Sequence, residues 1–314
     1  MKRQMMMIWF CVIALASVAP VQAENKKSGE KRYVIIHADD AGMSHSVNQG
    51  TIEGMQKGIV SSASIMVPCP WFKEFAEYAK QNPDQDFGIH LTLNSEWKNY
   101  RWGPVASRDL VPSQLDEEQY LWDNVGQVMQ HVNVKDAEKE LRAQIERAKK
   151  FGVPLSHLDT HMGAVVSRPD LLEMYVNLGI EYQLPVLFVA NLDPKKYGLI
   201  AEKSKELKAV LEKNGLPVLD ELVQFYGEPD YGKRKQSYLD KLRGLKPGVT
   251  QIIIHCGIDN QELQNITHSS SRRDGDRRVF TDPEVMKEIK DLGIEVITWK
   301  QFHEMAKQKV KVAE

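Results

Sequence analysis

Short apolar runs alternate along this chain with longer stretches whose apolar positions recur at helical spacing. Tyr33 to His37, Ser62 to Met66, Phe87 to Leu93, Leu155 to Asp159, Val186 to Ala190, Val218 to Gln224, Gln251 to His255 and Glu295 to Thr298 read as strands. Between them, Ser44 to Lys57, Trp71 to Gln81, Ala137 to Phe151, Pro169 to Leu178, Glu202 to Lys213, Tyr238 to Leu242, Pro283 to Leu292 and Lys300 to Lys309 read as helices. Ser44 suits a helix N-cap, and Gly58, Gly152 and Gly215 suit helix stops. Seven or eight such units predict an α/β fold, an irregular, TIM-barrel-like (β/α) barrel, in preference to a doubly wound sheet. The alternation lapses from Asn94 to Val134, an aromatic-rich stretch with little periodicity that reads as an insertion on the barrel rim.

The first residues follow a different pattern. Lys2 and Arg3 precede the apolar stretch Met5 to Val18, and Val21-Gln22-Ala23 offers a small-residue cleavage site, which predicts a signal peptide over 1–23 and an exported, periplasmic or extracellular protein. The remainder, 24–314, reads as one domain. No later segment approaches the roughly 20 apolar residues of a membrane span. Without Lys2 and Arg3 the 41 basic residues fall to 39 against 43 acidic, with no basic block, so nucleic acid is not an expected partner. Cys69 and Cys256 follow the leader, and their pairing is left open because sequence carries no distance. The oligomeric state is likewise open, a homodimer included.

Candidate chemistry starts where the first run, Val34-Ile35-Ile36-His37-Ala38, meets Asp39-Asp40-Ala41-Gly42. Adjacent carboxylates at the end of a buried strand repel and resist desolvation unless a cation or proton lies between them. Partners occur at other predicted strand ends: His90 in Gly88-Ile89-His90, His157 and His161 around Asp159, and His255 after Gln251 to Ile254. Parallel strands of a barrel bring their C-terminal ends to one face, so these residues are expected to meet. Singly, each has a plainer reading, as a core histidine or a solvated turn; their conjunction favours a metal site. Asp40, His90 and His161 form the expected ligand set, two imidazoles and a carboxylate with positions open for water and substrate. Asp39 is then the base that takes the water's proton, and His255 protonates the leaving group or stabilises the oxyanion. His157 and Asp159 are expected to support His161. His45, His131, His268 and His303 lack strand-end placement and read as surface residues.

At these positions the chain resembles the YdjC-like carbohydrate deacetylases. His37-Ala38-Asp39-Asp40-Ala41-Gly42 is similar to that family's Asp-Asp-x-Gly motif, Gly88-Ile89-His90 to its Gly-x-His element, and His157-Leu158-Asp159-Thr160-His161 to its His-x-Asp-x-His element. His255-Cys256-Gly257 corresponds to a His-Pro-Gly segment. The resemblance implies a (β/α) barrel hydrolase that removes acetyl groups from N-acetylated sugars with one divalent cation on Asp40, His90 and His161, Asp39 as base and His255 assisting. Magnesium is the family's usual metal, whereas two imidazoles favour zinc, so Mg2+ and Zn2+ both stand. Ala41 stands where the family commonly has an aromatic residue, and Cys256 where it has proline. Cys256 lacks a base of its own and is not expected to be a nucleophile.

The expected partner is a small carbohydrate. Trp97, Tyr100 and Trp102 offer flat faces for a sugar ring, and Arg272, Arg273 and Arg277, after a Ser-rich loop, offer charge for an anionic group or an ion pair with Asp39. Two other functions fit the same residues less well. Phosphoester hydrolysis calls for extra cationic groups or a second metal near Asp39, of which only the former is on offer, from Arg272 to Arg278, and a non-catalytic sugar-binding protein needs no base, metal and acid together.

Overall fold

Seven strands and twelve α-helices realise this alternation among residues 31–313, apart from 226, which a computed structural model describes. The strands are β1 (Arg32–Ala41), β2 (Ser62–Ile65), β3 (Phe87–Leu91), β4 (Leu155–Thr160), β5 (Glu221–Gln224), β6 (Gly248–Ile254) and β7 (Ile294–Val296). The helices are α1 (His45–Lys57), α2 (Phe72–Gln81), α3 (Val125–His131), α4 (Val134–Lys150), α5 (Pro169–Tyr182), α6 (Pro194–Tyr197), α7 (Leu199–Lys213), α8 (Tyr231–Arg243), α9 (Gln261–Ile266), α10 (Ser270–Phe280), α11 (Pro283–Asp291) and α12 (Trp299–Ala313).

Every strand pair is parallel, in the order β4-β3-β2-β1-β6-β5, with β7 also on β1. Helices cover both faces of such a sheet, which is why the strands are continuous apolar runs. β1 is the axis: Val34, Ile35, Ile36 and Ala38 are wholly buried. It pairs with β6 from Arg32 to Ala38, with β7 over Arg32 to Val34 and with β2 from His37 onwards.

The expected barrel is corrected to an open sheet. Val186 to Ala190 forms no ladder, and only the single bridges Leu158–Val186 and Val189–Leu219 span the edges of β4 and β5. Pro185 and Pro194 bracket this segment, and proline offers no N–H to a ladder. The exported location is corrected too. Residues 1–23, which carried it, lie outside the described residues, and nothing among those described assigns a compartment; no described helix is long and apolar enough to cross a membrane.

The insertion has structure of its own. Trp102 and Leu121 are buried with Met43, Val47, Met66, Cys69 and Leu263, and Glu140 of α4 accepts from the amides of Val105 at 2.9 Å and Ala106 at 2.8 Å. Cys69 and Cys256 are buried and unpaired.

Close packing beneath the site makes one glycine indispensable. A Cβ on Gly88 would lie 2.3 Å from His157 Nε2, and the His157 ring is stacked on Trp299 with centroids 5.2 Å apart. Gly88→Ala is therefore expected to cost about 1–3 kcal/mol, as overpacked cores do. Chemical denaturation measures it, and an unchanged midpoint would mean that the ring swings aside freely.

Candidate functional site

β1 delivers its two carboxylates through a local irregularity. Its pairing with β2 shifts register between Ala38 and Ala41, and Asp40 has φ 68°, the left-handed region that aspartate tolerates better than most residues. The chain then turns through Gly42, at φ 87°, whose N–H donates to Asn48 Oδ1 at 2.6 Å. Ser44 caps α1 by accepting from the Val47 amide at 3.2 Å. Asp39 and Asp40, 4% and 2% exposed, are thereby turned toward different neighbours.

Asp40 faces two imidazoles and a guanidinium. Its Oδ1 lies 3.3 Å from His90 Nε2 and 3.3 Å from His161 Nδ1, while Oδ2 accepts from Arg273 Nη2 at 2.7 Å. Oδ1 is buried and has no hydrogen-bond partner, which is the state of an oxygen positioned for a cation. One ligand atom each from Asp40, His90 and His161 lies within 4.8 Å of the others, and two imidazole nitrogens with one carboxylate oxygen suit a divalent cation, zinc by ligand softness more than magnesium. Asp39 faces a different set, with Oδ1 3.3 Å from His37 Nε2 and Oδ2 3.8 Å from His90 Nε2 and 3.9 Å from His255 Nε2.

These environments separate the two carboxyls. Burial and then the charge of Asp159 push Asp39 well above the usual carboxylate range. Burial acts on Asp40 in the same sense, but the charge of Arg273 and the nearby imidazoles of His161 and His90 outweigh it and hold Asp40 well below that range. On His161, burial opposes charge, yet Glu96 and Asp40 prevail and raise it to about 9. Burial lowers His255 to about 3, so its ring is neutral.

The supporting contacts differ from those expected. Asp159 serves His90 rather than His161: its Oδ2 lies 3.7 Å from His90 Nδ1 and 2.9 Å from His37 Nε2, and Ser64 Oγ donates to it at 3.3 Å. His161 is held by Glu96, 3.0 Å from its Nε2. His157 contacts Ser156 Oγ at 2.8 Å below the site.

A cavity of about 1480 Å³ opens over this cluster, lined by Asp39, Asp40, His90, His161, His255 and Glu96 among others. Of the three aromatic residues expected to stack on sugar, only Trp97 lines it; Tyr100 donates to the Met43 carbonyl and Trp102 is buried in the insertion's own core. Arg272 and Arg273 line the cavity, whereas Arg277 turns away to Glu53 and Asp274. The expected ion pair of an arginine with Asp39 is replaced by one with Asp40. His268, read as a surface residue, is exposed but stands on the cavity rim.

Sequence reasoning did not single out Glu96, His37, Arg234 or Asp276. The sequence predicts no helix over Ser270 to Phe280, where Arg272, Arg273 and Arg277 follow a Ser-rich loop, yet this stretch is the helix α10, which packs against α1 and α8. Its charged sequence hides the helical signal, although Arg273, Asp276 and Val279, spaced by three, are all buried.

A family model described as YdjC-like protein matches residues 33–291. The carbohydrate deacetylase of Thermoanaerobacter pseudethanolicus is 30% identical over 264 residues, 84% of this chain and 96% of that protein. The carbohydrate deacetylase of Listeria monocytogenes is 32% identical over 271 residues, 86% and 99% respectively. A crystal structure of an Enterococcus faecalis V583 protein provisionally assigned to cellobiose-phosphate cleavage aligns with a TM-score of 0.73 at 26% identity, over 86% of this chain and 98% of that one.

Proposed function

This chain belongs to the YdjC-like protein family, and from that membership we propose that it is a metal-dependent carbohydrate deacetylase acting on an N-acetylated sugar, its residues 24–314 forming one catalytic domain. The observation that carries the reading is the orphaned Asp40 Oδ1, 3.3 Å from each of two imidazole nitrogens at the floor of a cavity large enough for a sugar. Asp40, His90 and His161 would hold the divalent cation, Zn2+ or Mg2+. When bound it supplies charge that acidifies water and polarises the amide carbonyl.

The chain's own groups do the rest. Asp39, beside that set, accepts the proton of the attacking water at a carboxylate oxygen and returns it to the departing amine nitrogen. His255 is neutral, so it acts through an imidazole N–H directed at the oxygen on which charge develops. Trp97 on the cavity wall offers an aromatic face to the pyranose. The test is acetate release from N-acetylated mono- and disaccharides with and without chelator; acetate formation undiminished by chelator would overturn the metal assignment.

Phosphoester hydrolysis is the second reading, favoured by Lys98, His268 and Arg272 around the cavity. Phosphate release from a sugar phosphate, without acetate release from any N-acetylated sugar, would select it.

Metal loading should depend on pH in a defined direction. In the cation-free protein His161 keeps a proton up to about 9, and a ligand nitrogen must lose that proton to bind. Apparent affinity in calorimetric titration is expected to climb as pH rises from about 6 through about 9, because over this range binding must displace protons from His161 and from His90, which is also raised well above its ordinary value. A flat profile would remove His161 from the ligand set.

A further inference from the structure

β6 ends at Ile254, its last residue in register with β1, so the N–H of His255 has just left the sheet. Asp276 of α10 receives it: Oδ2 accepts from the His255 amide at 2.9 Å. The other carboxylate oxygen accepts from Arg234 Nε at 2.6 Å and from the Tyr238 hydroxyl at 2.8 Å, both on α8. Arg234 donates its remaining N–H groups to the carbonyls of Gly227 at 2.8 Å and Phe225 at 3.2 Å. Asp276, Arg234 and Tyr238 are 1%, 3% and 0% exposed, so the clamp is largely screened from water although Asp276 and Arg234 border the cavity, and charge-assisted hydrogen bonds are strong in such surroundings.

Two glycines admit this arrangement. A Cβ on Gly275 would lie 3.1 Å from Arg234 Cδ, and one on Gly257 would lie 3.1 Å from Arg273 Cβ. One turn of α10 therefore carries both Arg273, which reaches Asp40, and Asp276, which reaches His255. The helix touches the two halves of the site from one face.

We propose that Asp276 is a positioning residue for the deacetylation described above: clamped between Arg234 and Tyr238, it anchors the backbone of His255 and aims the imidazole at the reacting carbonyl beside Asp39. The proposal rests on the deacetylase reading and on the role given there to His255. A displacement of about 1 Å in such a group costs on the order of 10²-fold in rate, and loss of an orienting partner about 10- to 100-fold.

The experiment combines kinetics with histidine ring spectra on the full chain. Asp276→Asn is expected to lower kcat for acetate release about 10- to 100-fold with KM within about twofold and metal content unchanged. His255→Ala and the double variant His255→Ala/Asp276→Asn should then have equal kcat, because the aspartate acts only through the histidine. In protein labelled at histidine Cε1, the His255 resonance, identified by its loss in His255→Ala, should shift or broaden in Asp276→Asn. A kcat within twofold of the parent, or a double variant slower by the product of the two single effects, would overturn the proposal. Should Asp276→Asn fail to fold, Arg234→Lys, which keeps a cation but loses the fork, carries the same expectations. If the parent protein releases no acetate, the deacetylase reading fails, and the His255 resonance alone decides the anchoring: an unmoved signal refutes it.

Discussion

Asp39→Asn is expected to reduce kcat for acetate release by about 10²- to 10⁴-fold, the usual contribution of a general base, while the purified protein binds metal as the parent does. Asparagine keeps the shape of the side chain and removes the proton acceptor. Asp39 is the right group for this loss because its surroundings set it apart from its neighbour: burial and Asp159 disfavour its charge, whereas Arg273 and two imidazoles favour charge on Asp40. Two carboxyls whose environments push them in opposite directions are the common signature of divided roles. Acetate release within tenfold of the parent would assign the base elsewhere, and metal content falling in parallel would make Asp39 a ligand instead.

Asp40→Ala should have the largest effect on stability. In chelator-treated protein it is expected to cost about 3–5 kcal/mol, because Arg273, only 6% exposed, would be left as an uncompensated buried cation. Its Nη1 has no hydrogen-bond partner, so Asp40 provides the main counter-charge to that guanidinium. Urea denaturation measures the loss, and the same variant should bind no metal by elemental analysis. Adding Arg273→Met removes the orphaned charge, and Asp40→Ala/Arg273→Met should regain most of the lost stability. A single-variant loss below about 1 kcal/mol would mean that Arg273 finds water or another partner at once.

Much of this site is visible along the chain because strand ends are a local property. An apolar run that stops at Asp39-Asp40, Gly88-Ile89-His90, His157 to His161 or Ile254-His255 marks the C-terminal edge of a parallel strand, and all these edges share one face of the sheet. The cluster of Asp40, His90 and His161 follows from topology almost without regard to detail. Supporting contacts do not follow in this way. Pairing Glu96 with His161, Asp159 with His90, or Asp276 with the His255 amide depends on the path of the insertion and on the docking of α10, each set by packing across many residues.

The sheet itself shows the same division. Seven of the eight expected strands lie in ladders, whereas Val186 to Ala190, equally apolar, makes only isolated bridges. Hydrophobicity buries that segment, but burial alone does not bring its N–H and C=O groups into register with a neighbouring strand. The arginines are a second case. Charge alone gives Arg272, Arg273 and Arg277 similar prospects, yet helical geometry sends Arg273 to Asp40 and Arg277 to Glu53 and Asp274.

By itself the sequence determined which chemical groups stand at the ends of buried strands, because hydrophobic period and turn residues are written in neighbouring positions. Only the tertiary structure decided the surroundings of each group. A carboxylate's charge state depends on which distant side chains are packed within hydrogen-bonding distance, as Arg273 is for Asp40, and so does the anchoring of a backbone amide, as Asp276 anchors that of His255.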